Sequence, residues 1–242
     1  MAKTIIANWK MRLSVSESLA LAKKLEIKLK DTKQKIILCP DFLSLPLVLV
    51  ALKNSFIDLG AQDCATSLKA SSTGEVSANN LKEVGASYVI LGHSERREGQ
   101  KESSKIINLK IKAALRADLK VVLCVGESAL CRKKGETLKF ISTQIKESLN
   151  GVTLQRKEDL LIAYEPIWAI GADLPMSADE ADKIAEKISK LATDILNKSV
   201  SVLYGGSVNS SNAKNYLKKK NLSGLLVGGA SLEAEEFSKL AL

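Results

Sequence analysis

The clearest candidate for acid–base chemistry is Glu165, which follows an apolar segment and precedes a proline. The run at residues 160–163 is typical of a buried strand, and Pro166 favours extended geometry at the residue before it. The loop at residues 167–170 is too apolar to rest in water, so we predict a lid that closes over a ligand. A carboxylate at the root of a lid is a candidate general base. A core strand that ends at a surface glutamate beside a tightly packed loop explains the same residues equally well.

The chain has one histidine, His93, and therefore one imidazole for proton transfer. It lies in segment 92–97 (GHSERR), where Ser94 is predicted to cap a short helical turn. The positive end of such a turn disfavours a charged ring, so we expect a neutral imidazole that donates a hydrogen bond. Lys10 would then supply positive charge, and Glu95 would pair with Lys10 or with the neighbouring arginine. A lone histidine at a strand end is, however, more often a core or turn residue than a catalyst.

Short runs rich in Val, Ile and Leu alternate with charged segments of helical period, and no linker divides the chain. Continuous apolar strands that alternate with helices predict a parallel sheet covered by helices. The strands are predicted at residues 4–8, 35–39, 57–62, 88–91, 121–125, 160–164, 200–204 and 224–227. The helices are predicted at residues 16–30, 44–52, 78–84, 104–117, 138–149, 178–196, 210–218 and 231–240.

Eight strand–helix units in 242 residues match the size of one closed barrel. We therefore predict a single α/β domain over residues 1–242, a (β/α)8 TIM barrel. An open doubly wound sheet is the alternative, but residues 8–11 (NWKM) replace the glycine-rich turn of dinucleotide-binding sheets. The carboxyl ends of barrel strands meet on one face, which would collect Asn8, Lys10, Gln62, His93, Glu95, Glu127 and Glu165. Each of these residues also has a structural explanation as a surface charge or turn former, and only their convergence favours a site.

Two glycine pairs follow the last two predicted strands, at residues 205–206 and 228–229. Glycine lets the backbone approach a ligand closely, and N–H groups at the start of a helix attract anions. One such pair is an ordinary turn more often than not. Two pairs on consecutive strands favour a phosphate site, which barrels commonly build from these two loops.

Composition argues against several other classes of protein. The 36 Lys and Arg exceed the 27 Asp and Glu and give a net charge of +9, but they are dispersed among acids, and only 4% of residues are aromatic. A nucleic-acid partner is therefore not expected. We expect a cytoplasmic protein without a membrane partner, because the sequence shows neither a signal-peptide core nor an apolar run of membrane-spanning length. The cysteines lack paired-ligand spacing and should be free thiols, and one histidine rules out a histidine-rich metal site.

These motifs resemble, in order and spacing, those of the triosephosphate isomerase family, and the resemblance covers the whole chain. The matching segments are residues 8–10 (NWK), 92–97 (GHSERR), 163–171 (AYEPIWAIG), 204–207 (YGGS) and 228–229 (GG). The resemblance implies interconversion of dihydroxyacetone phosphate and glyceraldehyde 3-phosphate through an enediolate, in glycolysis and gluconeogenesis. It implies no cofactor and no metal, because the carbonyl group of the substrate accepts the electrons.

The resemblance also implies a role for each site residue. Glu165 would move the proton between two carbons, with neutral His93 as donor to the oxyanion, a pairing for which this family is itself the standard example. Asn8 would be a second donor, Lys10 would supply charge, and Glu95 would orient Lys10. The phosphate would bind at Gly171, Ser207, Gly228 and Gly229, together with Asn8 and Lys10. The lid would comprise Pro166, Ile167, Trp168, Ala169, Ile170 and Gly171, and its closure would keep water from an intermediate that can eliminate phosphate.

The trailing hinge of the lid departs from the family pattern. Residues 172–176 read ADLPM where the family usually has TGKTA. Pro175 fixes its own backbone angle and restricts the residue before it, so we predict a stiffer hinge and altered lid kinetics. The N–H groups of Asp173 and Met176 remain for Tyr204 and Ser207 of the seventh loop.

The third loop departs from the family pattern as well. Residues 70–72 read ASS before TGE, where the family usually has Gly-Ala-aromatic. Family members form dimers through this loop, so we expect Thr73 and Met11 at the subunit contact. Losing an aromatic contact predicts a homodimer weaker than is typical. Asp63, where the family commonly has Asn, lies in the same region.

Three other functions stay open on sequence alone. Another phosphosugar-binding barrel enzyme would share the glycine pairs, but not the surroundings of His93 and Glu165. A catalytically inert barrel would tolerate loss of these two residues, and both are present. A basic nucleic-acid binder would need charge clustered on one face.

Overall fold

A computed structural model describes residues 2–171 and 175–241 and shows a closed parallel barrel. The eight strands pair in the order in which they occur along the chain. They are β1 (Thr4–Asn8), β2 (Lys35–Cys39), β3 (Asp58–Ala61), β4 (Tyr88–Leu91), β5 (Lys120–Val125), β6 (Leu160–Tyr164), β7 (Ser201–Tyr204) and β8 (Leu222–Val227). Pairing of β8 with β1 closes the sheet. The predicted barrel is confirmed.

Ten α-helices lie in the described part of the chain. They are α1 (Val15–Lys28), α2 (Leu45–Ala51), α3 (Ala78–Glu83), α4 (Ser94–Gly99), α5 (Ser104–Arg116), α6 (Ala129–Lys133), α7 (Thr137–Ser148), α8 (Ala178–Leu196), α9 (Ala213–Leu217) and α10 (Ala234–Ala241). The helix predicted at residues 210–218 is shorter than expected, and the one predicted at 231–240 is divided between a 3-10 turn, Gly229–Leu232, and α10. The sequence pattern does not predict α6, because a helix of 5 residues is too short to show a helical period.

The strands are apolar on both faces because each lies between two cores. In β1, Ile6 belongs to the cluster inside the barrel, whereas Ile5 and Ala7 pack against the helices outside it. The inner cluster consists of Ile6, Ile37, Cys39, Tyr88, Ile90, Val122, Cys124, Ala163, Leu203 and Leu226. The barrel interior is therefore a filled core, and a ligand has room only at an end of the barrel.

Serine caps set the start of several outer helices. The side chains of Ser14, Ser77, Ser103, Ser128 and Ser177 each accept a backbone N–H from the first turn of the helix that follows. Such caps satisfy N–H groups that have no partner within the helix, and they fix where each loop ends. The cap at Ser177 matters most for the site, because it ends the segment that follows the lid.

Two further features concern the environment of the protein. The four cysteines are free thiols, and burial raises the pKa of Cys39 and Cys124, so both stay protonated. Among the described residues, no helix combines the length and the apolar character needed to cross a lipid bilayer.

Candidate active site

The carboxyl ends of the strands surround a cavity of about 210 Å³. Nearly all of the predicted catalytic and phosphate-binding residues form its wall, although they come from loops far apart in sequence. They are Asn8, Lys10, His93, Glu165, Gly171, Ser207, Gly228 and Gly229, joined by Ile170 from the lid. Glu95 lies outside this wall and lines a neighbouring cavity together with Lys10.

The carboxylate of Glu165 is enclosed, with 2% of the residue exposed. One oxygen, Oε1, lies 3.1 Å from Nε2 of His93. The other, Oε2, accepts the backbone N–H of Ser94 at 3.1 Å. The side chain is therefore held at the mouth of the barrel by one backbone donor, Ser94 N–H, with the imidazole of His93 in close contact beside it.

The imidazole of His93 is held in a defined tautomer. Its Nδ1 accepts the backbone N–H of Glu95 at 3.3 Å, while the Glu95 carboxylate is 3.6 Å from Nδ1, too far for a hydrogen bond. A nitrogen that accepts a hydrogen bond carries no proton, so the proton of the neutral ring lies on Nε2, which faces Glu165. The predicted neutral donor fits this geometry. The predicted cap at Ser94 is wrong, because His93 itself is the N-cap of α4.

Lys10 reaches the cavity from an uncommon backbone conformation. Its φ angle is +52°, in the left-handed region that costs a side chain about 1 kcal/mol or more. Neighbouring side chains offset that cost, since Asn8 Oδ1 accepts the Lys10 N–H at 3.1 Å and Gln62 Nε2 donates to the Lys10 carbonyl at 2.9 Å. The ammonium lies 2.5 Å from Oε1 of Glu95. Lys10 is thus held both at its backbone and at its ammonium group, and its role as a fixed positive charge stays a prediction.

The leading end of the lid is tied to a buried carboxylate, Glu127. Tyr164 donates its hydroxyl to this carboxylate at 3.1 Å, and the Trp168 indole N–H donates to it at 2.9 Å. Burial and the charge of Glu127 both raise the pKa of Tyr164, so its hydroxyl stays protonated and can donate. The Trp168 ring also lies 4.0 Å from the guanidinium of Arg132, which forms an ion pair with Glu180 of α8. Two contacts therefore fix the orientation of Trp168.

The lid also holds a backbone group of the seventh loop. The Ser207 N–H donates to the carbonyl of Ala169 at 2.9 Å. Ser207 was predicted to bind phosphate through this N–H, which in the present conformation is already occupied. Gly171, with a φ of +66°, follows on the cavity wall. An anion that binds the Ser207 N–H must therefore displace the lid carbonyl.

Comparison with known proteins agrees with this geometry. The family model described as Triosephosphate isomerase matches residues 3–242. The chain belongs to the triosephosphate isomerase family. It is 39% identical over 245 residues to triosephosphate isomerase from Caldanaerobacter subterraneus subsp. tengcongensis, covering 99% of each chain. It is 43% identical over 244 residues to the enzyme from Dehalococcoides mccartyi (strain CBDB1), covering 98% of this chain and 94% of the relative.

A solved structure shares the same fold. The crystal structure of triosephosphate isomerase from Bartonella henselae matches with a TM-score of 0.89 and 34% identity, over 99% of this chain and 98% of that one. The resemblance inferred from the motifs is confirmed, and so is the assignment to an isomerase family.

The site of this triosephosphate isomerase family member also depends on contacts that the sequence did not show. A Cβ atom at Gly126 would lie 1.7 Å from the Glu165 carbonyl oxygen, and one at Gly205, predicted only as part of a phosphate-binding pair, would lie 2.9 Å from Glu165 Cγ. Both glycines make room for Glu165. Arg97 donates to the Gly92 carbonyl at 2.7 Å and to the Cys124 carbonyl at 3.0 Å, which supports the loop of His93 from below. The GHSERR motif contains Arg97, but nothing local shows which way the side chain turns.

The predicted dimer residues lie at the surface. Thr73 is exposed, and Met11 is 92% exposed. Met11 lines a cavity of about 300 Å³ beside the site, together with Phe42, Gln62 and Arg96.

Part of the trailing hinge lies within the described residues. Pro175 and Met176 are described, whereas Asp173, expected to bond the seventh loop, lies outside the described residues. Met176 is buried, with 2% exposure. As for metals, the part of the chain that the structure describes contains no group of three or more His, Cys, Asp or Glu side chains able to hold an ion.

Proposed function

We propose that this chain interconverts dihydroxyacetone phosphate and D-glyceraldehyde 3-phosphate, with Glu165 as the base. The observation that carries the proposal is the position of a buried carboxylate 3.1 Å from the Nε2 atom of the imidazole, on the wall of a cavity lined by both glycine pairs. Membership of the triosephosphate isomerase family supports it. No specific observation favours another phosphosugar enzyme or an inert barrel.

The first step breaks a C–H bond beside the substrate carbonyl. Glu165 takes the proton, the electron pair forms a carbon–carbon double bond, and the carbonyl oxygen becomes an oxyanion. The Nε2–H of His93, whose nitrogen lies 3.1 Å from Glu165 Oε1, would donate to this oxygen. The Asn8 amide and the Lys10 ammonium line the same cavity and would stabilise the negative charge.

The second step returns the proton to the neighbouring carbon. His93 gives its Nε2 proton to one enediolate oxygen and takes the proton of the adjacent hydroxyl, so the ring ends neutral. Glu165 then donates to the other carbon and regains its charge. The substrate carbonyl holds the electron pair throughout, so we propose a reaction without metal or cofactor.

Phosphate binding and lid movement would be coupled through one hydrogen bond. We propose that the phosphate binds the N–H groups of Gly171, Ser207, Gly228 and Gly229 beside the Lys10 ammonium. Since the Ser207 N–H is bonded to the Ala169 carbonyl, the phosphate would take its place and free the lid. The released lid would close and exclude water from the enediolate.

We further propose that the protein acts as a homodimer in the cytoplasm. The third loop of one subunit, with Thr73 at its tip, would enter the cavity beside Met11 and Lys10 of the other. Free thiols are typical of a reducing compartment. We propose neither nucleic acid nor membrane as a partner.

A coupled assay of Glu165→Gln tests the reaction and its base together. Glutamine keeps the size of the side chain but cannot accept the proton, so turnover should fall by about 10²-fold or more. Glu186→Gln, a matched change at an exposed position of α8, should leave turnover unchanged. Full activity of Glu165→Gln would overturn the assignment.

A further inference from the structure

Two stacked tyrosines lie behind the trailing hinge of the lid. Tyr204 ends β7 and Tyr216 lies in α9, and their ring centroids are 4.3 Å apart with the ring planes 10° from parallel. Both side chains are buried. The stacked rings therefore form a rigid support for the hinge residues that contact them.

The hydroxyl of Tyr216 holds a backbone group of the hinge. It donates to the carbonyl of Met176 at 2.5 Å, and Met176 directly follows Pro175. The next residue, Ser177, caps α8 and is fixed by its bond from the Glu180 N–H at 3.2 Å. Met176 is thus the last residue of the hinge before the rigid helix, and its carbonyl is fixed by a side chain from another element.

The hydroxyl of Tyr204 is placed beside the same hinge residue. It is buried, and it forms no hydrogen bond that meets normal geometry within the described residues. Burial and the neighbouring Tyr216 hydroxyl raise the pKa of Tyr204, so its phenol stays protonated and can donate a hydrogen bond. A Cβ atom at Gly206 would lie 2.2 Å from this oxygen, so the second glycine of the pair makes room for the hydroxyl.

The hydroxyl of Tyr216 bonds the backbone of Met176, and the ring of Tyr204 is stacked on the ring of Tyr216. The carbonyl of Met176 is held by Tyr216, and Pro175 removes one backbone rotation just before it. The Met176 backbone therefore has little freedom beside the stacked rings. A small movement of the hinge would give the buried Tyr204 hydroxyl the partner that it lacks, which favours that movement.

We propose that Tyr216 is a positioning residue for the lid, whose hydroxyl presets Met176 so that its N–H meets Tyr204 when the lid closes. This inference rests on the proposed isomerase function, because it concerns closure over the enediolate. Tyr216 does not line the catalytic cavity and acts only through the hinge.

Tyr216→Phe removes the hydroxyl and keeps the ring stack. Closure should become less favourable, and kcat/KM should fall about three- to tenfold. Phosphate released from glyceraldehyde 3-phosphate, counted per molecule isomerised, should rise by a similar factor, because an open lid exposes the enediolate to elimination. This ratio reports the lid, and a general loss of folded enzyme does not change it.

Tyr88→Phe is the matched control. Tyr88 is also buried, at 3% exposure, but it begins β4 at the opposite end of the barrel. Tyr88→Phe should leave the ratio of released phosphate to isomerised molecules unchanged, even if the substitution shifts the midpoint of unfolding. An unchanged ratio in Tyr216→Phe, or the same rise in both variants, would overturn the role of Tyr216.

A double variant tests whether Tyr216 acts through Tyr204. In a Tyr204→Phe background, the further change Tyr216→Phe should add no effect on the ratio, whereas independent effects would multiply and contradict the inference.

Activity of the wild-type enzyme distinguishes failure of this inference from failure of the proposed function. If it does not isomerise triose phosphates, the proposed function fails and this inference with it. If it isomerises while Tyr216→Phe behaves as wild type, only the inference fails.

Discussion

At the scale of single residues, the chemistry depends on which atoms carry protons. The Glu95 N–H donates to Nδ1 of His93, so the proton of a neutral ring lies on Nε2, the nitrogen 3.1 Å from Glu165 Oε1. The hydrogen bond from the main chain therefore determines the tautomer of the neutral imidazole.

A second group of charged side chains, which includes Arg96 of α4, lies next to the loop that carries His93. Glu102 and Asp63 are both buried and share the cations Lys110 and Arg96. Oε1 of Glu102 lies 2.6 Å from Lys110 Nζ and 2.6 Å from a guanidinium nitrogen of Arg96. Burial by itself would raise the pKa of Glu102, but the hydrogen bonds from Arg96 and Lys110 outweigh it and lower the pKa below its ordinary value of 4.5.

We expect Glu102→Gln to lower stability in a pH-dependent way. A carboxylate with a lowered pKa stabilises the folded state above pH 4.5, and this contribution is lost as the pH falls through the folded-state pKa. At neutral pH the variant should lose about 3 kcal/mol, because the buried Lys110 and the partly exposed Arg96 then share one carboxylate, that of Asp63. Urea unfolding should show a smaller difference from wild type at an acidic pH, below the folded-state pKa of Glu102, than at neutral pH.

The control for this prediction is Glu98→Gln, at an exposed position of α4. It should change stability little at either pH. A difference between wild type and Glu102→Gln that stays constant with pH would contradict the predicted role of the charge.

At the scale of elements, the lid is held differently at its two ends. At the leading end, the Trp168 indole bonds Glu127 and its ring packs on Arg132. At the trailing end, Pro175 and the Tyr216 hydroxyl act on the backbone. The leading end can therefore move by exchanging side-chain contacts. The trailing end can move only by rotation of its backbone, which Pro175 limits.

Pro175→Thr should change the kinetics of the lid. Threonine restores the rotation that proline removes, so opening and closing should become faster, and the dependence of kcat/KM on solvent viscosity should change by about twofold or more. Turnover measured over a series of glycerol or sucrose concentrations tests this. Identical turnover and identical viscosity dependence in both proteins would show that Pro175 does not influence the lid.

At the scale of the whole molecule, exposed apolar side chains lie beside the site. Met11 is 92% and Phe42 38% exposed, and both line the neighbouring cavity. Exposed apolar residues next to an opening are typical of an interaction surface. The third loop exposes Ala70, Ser71 and Ser72 and has no aromatic ring at these positions.

We expect the homodimer to dissociate at higher concentrations than is typical, and Ser72→Phe to strengthen it. Burial of a phenylalanine side chain contributes roughly 1.5–3 kcal/mol, equivalent to about a ten- to hundredfold lower dissociation constant. Sedimentation velocity over a dilution series measures both proteins, with Ser72→Ala as the control that should leave the constant unchanged. A wild-type dimer that stays intact at nanomolar concentration would contradict the prediction.

Much of the fold follows from local patterns in the sequence. The predicted bounds of β1, β2, β4, β6 and α8 match the structure, because an apolar run between polar turns and a serine cap before a periodic segment are local signals. Bounds were less accurate at α9 and α10, where 3-10 turns and short helices interrupt the period.

The sequence by itself determined the barrel, its order of strands and the residue types gathered at its rim, including Glu165, His93 and the glycine pairs. These follow from hydrophobic patterning and from motifs that lie within a few residues of one another. Only the tertiary structure decided which partner each polar group meets: the Glu95 N–H at His93, the Ala169 carbonyl at Ser207, and the Tyr216 hydroxyl at Met176. The direction of a side chain depends on packing against elements distant in sequence, and no local pattern encodes it.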